Sequence, residues 1–204
     1  MTEQQFTAID ATQNQRATQR LIRAIELSKG QFALILVRCN YQQLGEQVLQ
    51  NLRNITKDIY VRELALPPQS KALHTAIISE LFLDHPAVAS DSLPTAVMVF
   101  GLESNLALED LLTSINQARD IYADTFPFPV VLWLQDEVAT LLSRLAPDFK
   151  SWAATTIKFD LPEPYLIDLV KQETESLFNK ILEAGAEEFL SNAALDLDPK
   201  SQHR

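Results

Sequence analysis

The chain has 204 residues, 17 Lys+Arg against 27 Asp+Glu, a formal net charge of −10 and a single cysteine. One cysteine excludes a disulfide framework and a cysteine-based zinc site, and the acidic balance argues against a broad nucleic-acid footprint or adhesion to anionic lipid, since both need clustered cations. No apolar run approaches the roughly 18 residues of a membrane span, and the opening MTEQQFTAIDATQ lacks the basic-then-apolar layout of a signal peptide, so a cytoplasmic, reducing compartment is expected.

In chain order, a helix is predicted between Thr12 and Lys29, with Ala17, Leu21, Ala24, Ile25 and Ser28 on one stripe and Gly30 as its stop. Residues 32–37 (FALILV) form a short, unbroken apolar run, the pattern of a strand buried on both faces. A helix over 42–53 carries Leu44, Val48 and Leu52 on one side. Residues 59–64 (IYVREL) mix charge with apolar residues, which marks an edge strand. A helix over 69–84 through Leu73, Ile77, Ile78 and Leu81 leads into a surface loop over 85–94. Residues 95–100 (TAVMVF) and 129–134 (PVVLWL) are again buried runs. Between them, Leu108, Leu111, Leu112, Ile115 and Tyr122 keep three-four spacing on one helix. A further helix precedes 155–161 (TTIKFDL), where Ile157, Phe159 and Leu161 alternate with charge as in an edge strand. Pro162-Glu163-Pro164 then opens a long amphipathic helix over 162–193, and 194–204 is a polar tail. The expected fold is α/β: a three-layer, five-stranded, mostly parallel sheet over 1–161 with helices on both faces, plus that terminal helix packed on or extending it.

In such sheets ligands bind at the carboxyl ends of the strands, so the turn after the first strand matters most. A Walker A loop, G-x-x-x-x-G-K-[ST], wraps phosphates with backbone N–H groups, neutralises them with its Lys and holds magnesium with its hydroxyl. The spacing fits with Asn40 at the first Gly and Gly45 at the second. The chemistry fails, because Glu46 stands at the Lys position and Gln47 at the hydroxyl position. A carboxylate beside triphosphate reverses the sign of the main electrostatic term, a loss of several kcal/mol if desolvated. Gly45 is equally a residue that eases helix packing. Glu103, after the third strand, holds the place of a magnesium- or water-orienting carboxylate, and alternatively caps a helix. Gln135, after the fourth, holds roughly the place of a polar sensor, while the Asp136 and Glu137 that follow equally suit a helix N-terminus.

The segments LIRAIELSKGQFALILVRCN, FPFPVVLWLQDEVATLLSRLAPDFKSW and TIKFDL resemble the ATPase-like domain of large bacterial multidomain proteins, relatives of AAA+ and STAND NTPases often joined to tetratricopeptide repeats. The likeness spans roughly residues 17–160, most specifically Phe126 to Trp152. It implies a P-loop-type fold with strand order 5-1-4-3-2. A flavodoxin-type order also places the second and fifth strands at the edges. The chain departs from the family in lacking the Walker Lys and any repeat array.

Other constellations carry less. His74, His85 and His203 have no mutual metal-site spacing, Cys39 has no histidine nearby in sequence, and no G-x-S-x-G elbow is present. Pro147-Asp148-Phe149-Lys150 has the acid-x-Lys order of metal nucleases, but in a helix-terminal loop and without a second acidic ligand. Phe149 and Trp152 read either as local packing or as a partner contact. Leu177, Phe178 and Ile181 on the terminal helix, flanked by Glu173, Glu175, Glu183, Glu187 and Glu188, read as sheet cover or as a docking surface. The expectation is a non-catalytic, NTPase-like interaction or adaptor domain without cofactor or metal, acting through a protein partner or a homo-oligomer. Its vestigial cleft would hold Asn40, Gly45, Glu103 and Gln135. The alternative is a divergent regulatory ATPase binding ATP or GTP with magnesium at the same cleft, and a third reading is an enzyme on a flavodoxin-like fold.

Overall fold

A computed structural model describes residues 12–55, 59–83, 93–161, 171, 174–176, 178 and 179. The chain divides into two units at Asp160/Leu161. The first unit is built on five parallel strands, β1 (Ala33–Arg38), β2 (Val61–Ala65), β3 (Ala96–Phe100), β4 (Pro129–Leu134) and β5 (Ala153–Lys158), ordered β2-β3-β4-β1-β5. Read from the other edge this is 5-1-4-3-2, the order the resemblance implies. In the flavodoxin-type order β1 would lie beside β2.

Hydrophobic pattern and place in the sheet agree. β4 is buried at every position and β1 and β3 nearly so, whereas β2, at an edge, is mostly half-buried. Side chains alternate between the faces of a strand. Leu34, Leu36, Val97, Val99, Val130, Leu132 and Leu134 therefore share one core with α3 (Leu73–Ile78), α4 (Leu108–Gln117), α5 (Arg119–Thr125), α6 (Asp136–Leu145) and α7 (Pro147–Ser151). The intervening Ile35, Val37, Met98, Val131 and Trp133 are buried on the opposite face. There α1 (Thr12–Leu27) and α2 (Gln42–Ile55) supply Ala17, Leu21, Ile25, Leu44, Val48 and Leu52. Gly30 ends α1 at φ +82°, a backbone region that favours glycine.

Three expected elements take a different form. The helix expected over 69–84 begins only at Leu73 and finishes as a π-helical turn, Ser79–Leu83. The preceding residues are tied to the loop after β3: the Leu66 amide donates to the Phe100 carbonyl, Leu106 to Pro68, and Asn105 Nδ2 to the Ser70 carbonyl. The helix after β3 breaks at Ala118 into α4 and α5, and Tyr122 of α5 still returns to the same core. Residues 147–151, expected as loop, form the short helix α7 with Pro147 in its first turn, where a missing N–H costs nothing. Its amino end is capped from α4, because Asn116 Oδ1 accepts from the amides of Asp148 (3.0 Å) and Phe149 (3.1 Å). The first unit also ties its start to its end: Asn14, 1% exposed, donates to the Asp160 carbonyl (2.8 Å) and accepts from the Asp160 amide (3.2 Å).

In the second unit, Lys171, Thr174, Glu175, Ser176, Phe178 and Asn179 are helical and exposed. Leu177 and Ile181 lie outside the described residues, as do His85, His203 and the tail from residue 194. No helix among the described residues is long and apolar enough to cross a membrane.

Candidate functional site at the switch point of the sheet

α2 leaves β1 toward one face of the sheet and α6 leaves β4 toward the other, although β1 and β4 are neighbours. The gap between their carboxyl ends is thus the topological switch point, where open α/β sheets hold ligands. Here the chain's own groups meet across that gap. Arg38, at the end of β1, donates through Nε (2.9 Å) and Nη2 (2.7 Å) to Asp136 Oδ1 at the start of α6. The Asp136 amide donates to Asn40 Oδ1 at 2.9 Å. Asn40 therefore caps α6 from a distant element, a helix whose own N-cap residue, Gln135, makes no side-chain cap bond. On the other side of β1, Lys158 pairs with Asp160 at 2.9 Å.

Partial burial works to raise the Asp136 pKa. The Arg38 guanidinium, Asn40 and nearby Lys158 outweigh it, and the carboxyl titrates below its ordinary value. Cys39, 4% exposed, behaves in the opposite way. Burial pushes its thiol up to about 11, so it is protonated at neutral pH and is no nucleophile.

The turn between β1 and α2 is three residues long, Cys39-Asn40-Tyr41, because α2 begins at Gln42. A Walker-type loop keeps its four intervening residues and second glycine outside regular helix so that their amides can wrap phosphate. Gly45 is instead a helical residue whose amide donates to the Tyr41 carbonyl at 3.1 Å. A Cβ at Gly45 would lie 3.3 Å from Trp133 Nε1 and 3.4 Å from Cε2 and Cζ2, so the absent side chain makes room for an indole rather than for a phosphate. Trp133 is itself stacked on Phe159, with centroids 5.6 Å apart and planes at 15°. Glu46 is exposed on α2, just past its first turn.

Of the four cleft residues expected from sequence, the structure brings Asn40 next to Gln135-Asp136 and packs Gly45 on Trp133 of the same strand, β4. Glu103 is exposed on a 3-10 turn, Leu102–Ser104, after β3, and among the described residues no hydrogen bond ties it to the other three. Arg38 was not singled out by sequence, and Asp136 was read there only as an acid suited to a helix N-terminus. Their signal was a cation ending one interior strand and an acid following its neighbour, which becomes visible only once β1 and β4 are known to be adjacent.

Of the expected partner contacts, Phe149 is fully buried, its ring 5.0 Å from that of Tyr122, and has no surface to offer. Trp152 is half-buried and edge-on to Phe32 at 5.8 Å. Phe178 is 59% exposed. Asp148 and Lys150 of the acid-x-Lys string bind Arg119 (3.3 Å) and Ser143 (2.7 Å), which ties α7 to α5 and α6. His74 packs on Tyr122 and Phe126, hydrogen-bonds to Thr125, and has its pKa lowered by burial. Among the described residues no group of three or more His, Cys, Asp or Glu is placed to hold a metal ion.

A cleft of about 250 Å³ does open, but beside the amino-terminal end of β2. Leu49, Leu52, Ile59, Tyr60, Val61 and Met98 line it, with the Arg53–Glu63 ion pair at its side. That is the wrong end of the strands for the ligand position of this architecture. Comparison with protein-family models and with curated proteins finds no match to this chain.

Proposed function

We propose that this chain is a non-catalytic, NTPase-like adaptor or regulatory domain that works through a protein partner or its own oligomer. The observation that carries the reading is the short β1–α2 turn: Gly45 is drawn into the helix and against Trp133, while Arg38, Asn40 and Asp136 join across the switch point. Where phosphate loops present free amides and a Lys, this chain presents a helical turn and an acid. The parallel order 5-1-4-3-2 supports kinship with P-loop-type domains. The closed turn supports loss of their chemistry.

Equilibrium titration with fluorescently labelled ATP and GTP in magnesium tests the reading. The expected result is no saturable binding. Micromolar affinity, lost on mutation of Gly45 or Asn40, would overturn it in favour of a divergent regulatory ATPase using Asn40, Gly45, Glu103 and Gln135.

A further inference from the structure

The face of the sheet that carries α2 is unevenly covered toward the β2 edge. In the β2–β3 register Val61 lies beside Ala96 and Glu63 beside Met98, so these side chains share that face. Met98 on β3 is fully buried, whereas Val61 and Glu63 on β2 are half-buried and Ala65 is exposed. The cleft of about 250 Å³ lies where the cover thins. Leu49 and Leu52 line it from α2, Val61 and Met98 from the sheet, and Ile59 and Tyr60 from the segment that enters β2.

Arg53 stands one helical turn after Leu49 and pairs with Glu63 at the side of this apolar space. The two side chains are 65% and 30% exposed. An ion pair so open to water adds little stability, so it can rearrange around a ligand at small cost. It also selects the ligand's charge. A lone carboxylate drawn to Arg53 meets Glu63, and a lone ammonium drawn to Glu63 meets Arg53. A head group bearing both charges on one carbon satisfies the two residues together. The volume falls below the roughly 300–1,000 Å³ of clefts that enclose drug-sized molecules, so the apolar part of the ligand must be small.

We propose that this cleft binds a free apolar α-amino acid of the leucine or phenylalanine class, with its side chain between α2 and β2, its carboxylate on Arg53 and its ammonium on Glu63. The site lies at the amino-terminal end of β2, away from the switch point, and owes nothing to the phosphate-loop ancestry of the fold. The proposal therefore goes beyond the adaptor reading. Nucleotide binding at Asn40 and Gly45 would overturn that reading and leave this site standing.

Isothermal titration calorimetry of the full chain tests it. L-leucine or L-phenylalanine is expected to bind saturably with a Kd below about 1 mM. Two analogues keep the leucine side chain and change the head group: 4-methylpentanoate lacks the ammonium, and N-acetyl-L-leucinamide lacks both charges. Each should bind at least about tenfold more weakly than L-leucine. Arg53→Gln and Glu63→Gln should each weaken L-leucine by at least about fivefold, and Leu49→Trp, which fills the cleft, should abolish binding. Circular dichroism checks folding; should Leu49→Trp unfold the chain, the two exposed variants carry the test. The proposal is overturned if neither amino acid binds at about 10 mM, or if both exposed variants bind L-leucine as the wild type does. Equal binding of 4-methylpentanoate would overturn it in favour of a simple apolar acid. Equal binding of N-acetyl-L-leucinamide would give the cleft instead to an apolar side chain of a protein partner.

Discussion

Substituting valine at Gly45 separates a packing glycine from a phosphate-loop glycine. In a phosphate loop the missing side chain faces ligand space, and a small apolar residue there leaves folding stability nearly untouched. Here the first added carbon already meets three indole atoms at 3.3–3.4 Å. Trp133 has little room to retreat, being 7% exposed and flanked by Phe100 (5.5 Å) and Phe159 (5.6 Å). The two methyl groups of valine must therefore displace the ring or tilt α2. Over-packing of this kind costs about 1–3 kcal/mol, while replacing a helical glycine recovers roughly 0.5 kcal/mol for a β-branched residue. The expected net loss is about 1–2 kcal/mol, read as a lower urea midpoint at constant m-value. Gly45→Ala, with its larger propensity gain and only the first carbon to place, should sit near zero. Combining Gly45→Val with Trp133→Phe should recover about 1 kcal/mol relative to additivity, because the smaller ring vacates the space. An unchanged or raised midpoint in Gly45→Val, or strict additivity in the double variant, would refute the packing argument.

Asn14→Ala removes both bonds to the Asp160 backbone and leaves that strand exit without its clip; a loss of about 2 kcal/mol in urea unfolding is expected, and a change within error would show the clip to be incidental. Because the folded-state pKa of Asp136 is depressed, its pairing with Arg38 contributes stability that is present above the ordinary value of 3.8 and lost as pH falls through the lower folded value. Asp136→Asn should accordingly flatten the acid limb of a stability–pH profile, and an unaltered limb would contradict the assignment. Glu46→Lys restores the phosphate-loop cation and should still give no nucleotide binding in the labelled-ATP titration; saturable binding by that variant would place the block in the charge alone.

The sheet was largely legible because a strand covered on both faces leaves an unmistakable record. FALILV, TAVMVF and PVVLWL carry no charge, while IYVREL and TTIKFDL carry charges that suit an edge. What stayed illegible rests on long-range partners. Asn14, Asn40, Asn105 and Asn116 look like ordinary surface amides in the sequence, yet each binds backbone groups of another segment. No local pattern encodes which carbonyl or helix end an amide will find. Helix limits moved for the same reason: the residues before Leu73 are engaged by the loop after β3, and the amino end of α7 exists because Asn116 caps it. Phe149 and Trp152 left both readings open, since an aromatic pair before an edge strand has one local pattern whether it faces the core or a partner. The ring of Tyr122 against Phe149 and that of Phe32 against Trp152 account for their positions.

At the candidate site the sequence argument and the structural one rest on different terms. Glu46 at the lysine position drew attention because charge is visible in a sequence, and a carboxylate beside phosphate is plainly unfavourable. An exposed side chain on a helix turn is nonetheless easily changed, and its field is weakened by solvent. The backbone is harder to change. With α2 starting at Gln42, the residues that would form a wrapping loop already have helical dihedrals, and Gly45 has exchanged a ligand amide for the Tyr41 carbonyl. The indole beneath it and the Asn40–Asp136 bond beside it hold that turn short from two directions. Reopening the loop would require unwinding a helical turn and giving up its packing on Trp133, together with the cap of α6. On the reading proposed above, the obstacle to phosphate binding lies first in the fold of the turn and only second in its charge, and the residues that would maintain it, Asn40, Gly45, Trp133 and Asp136, come from both sides of the switch point.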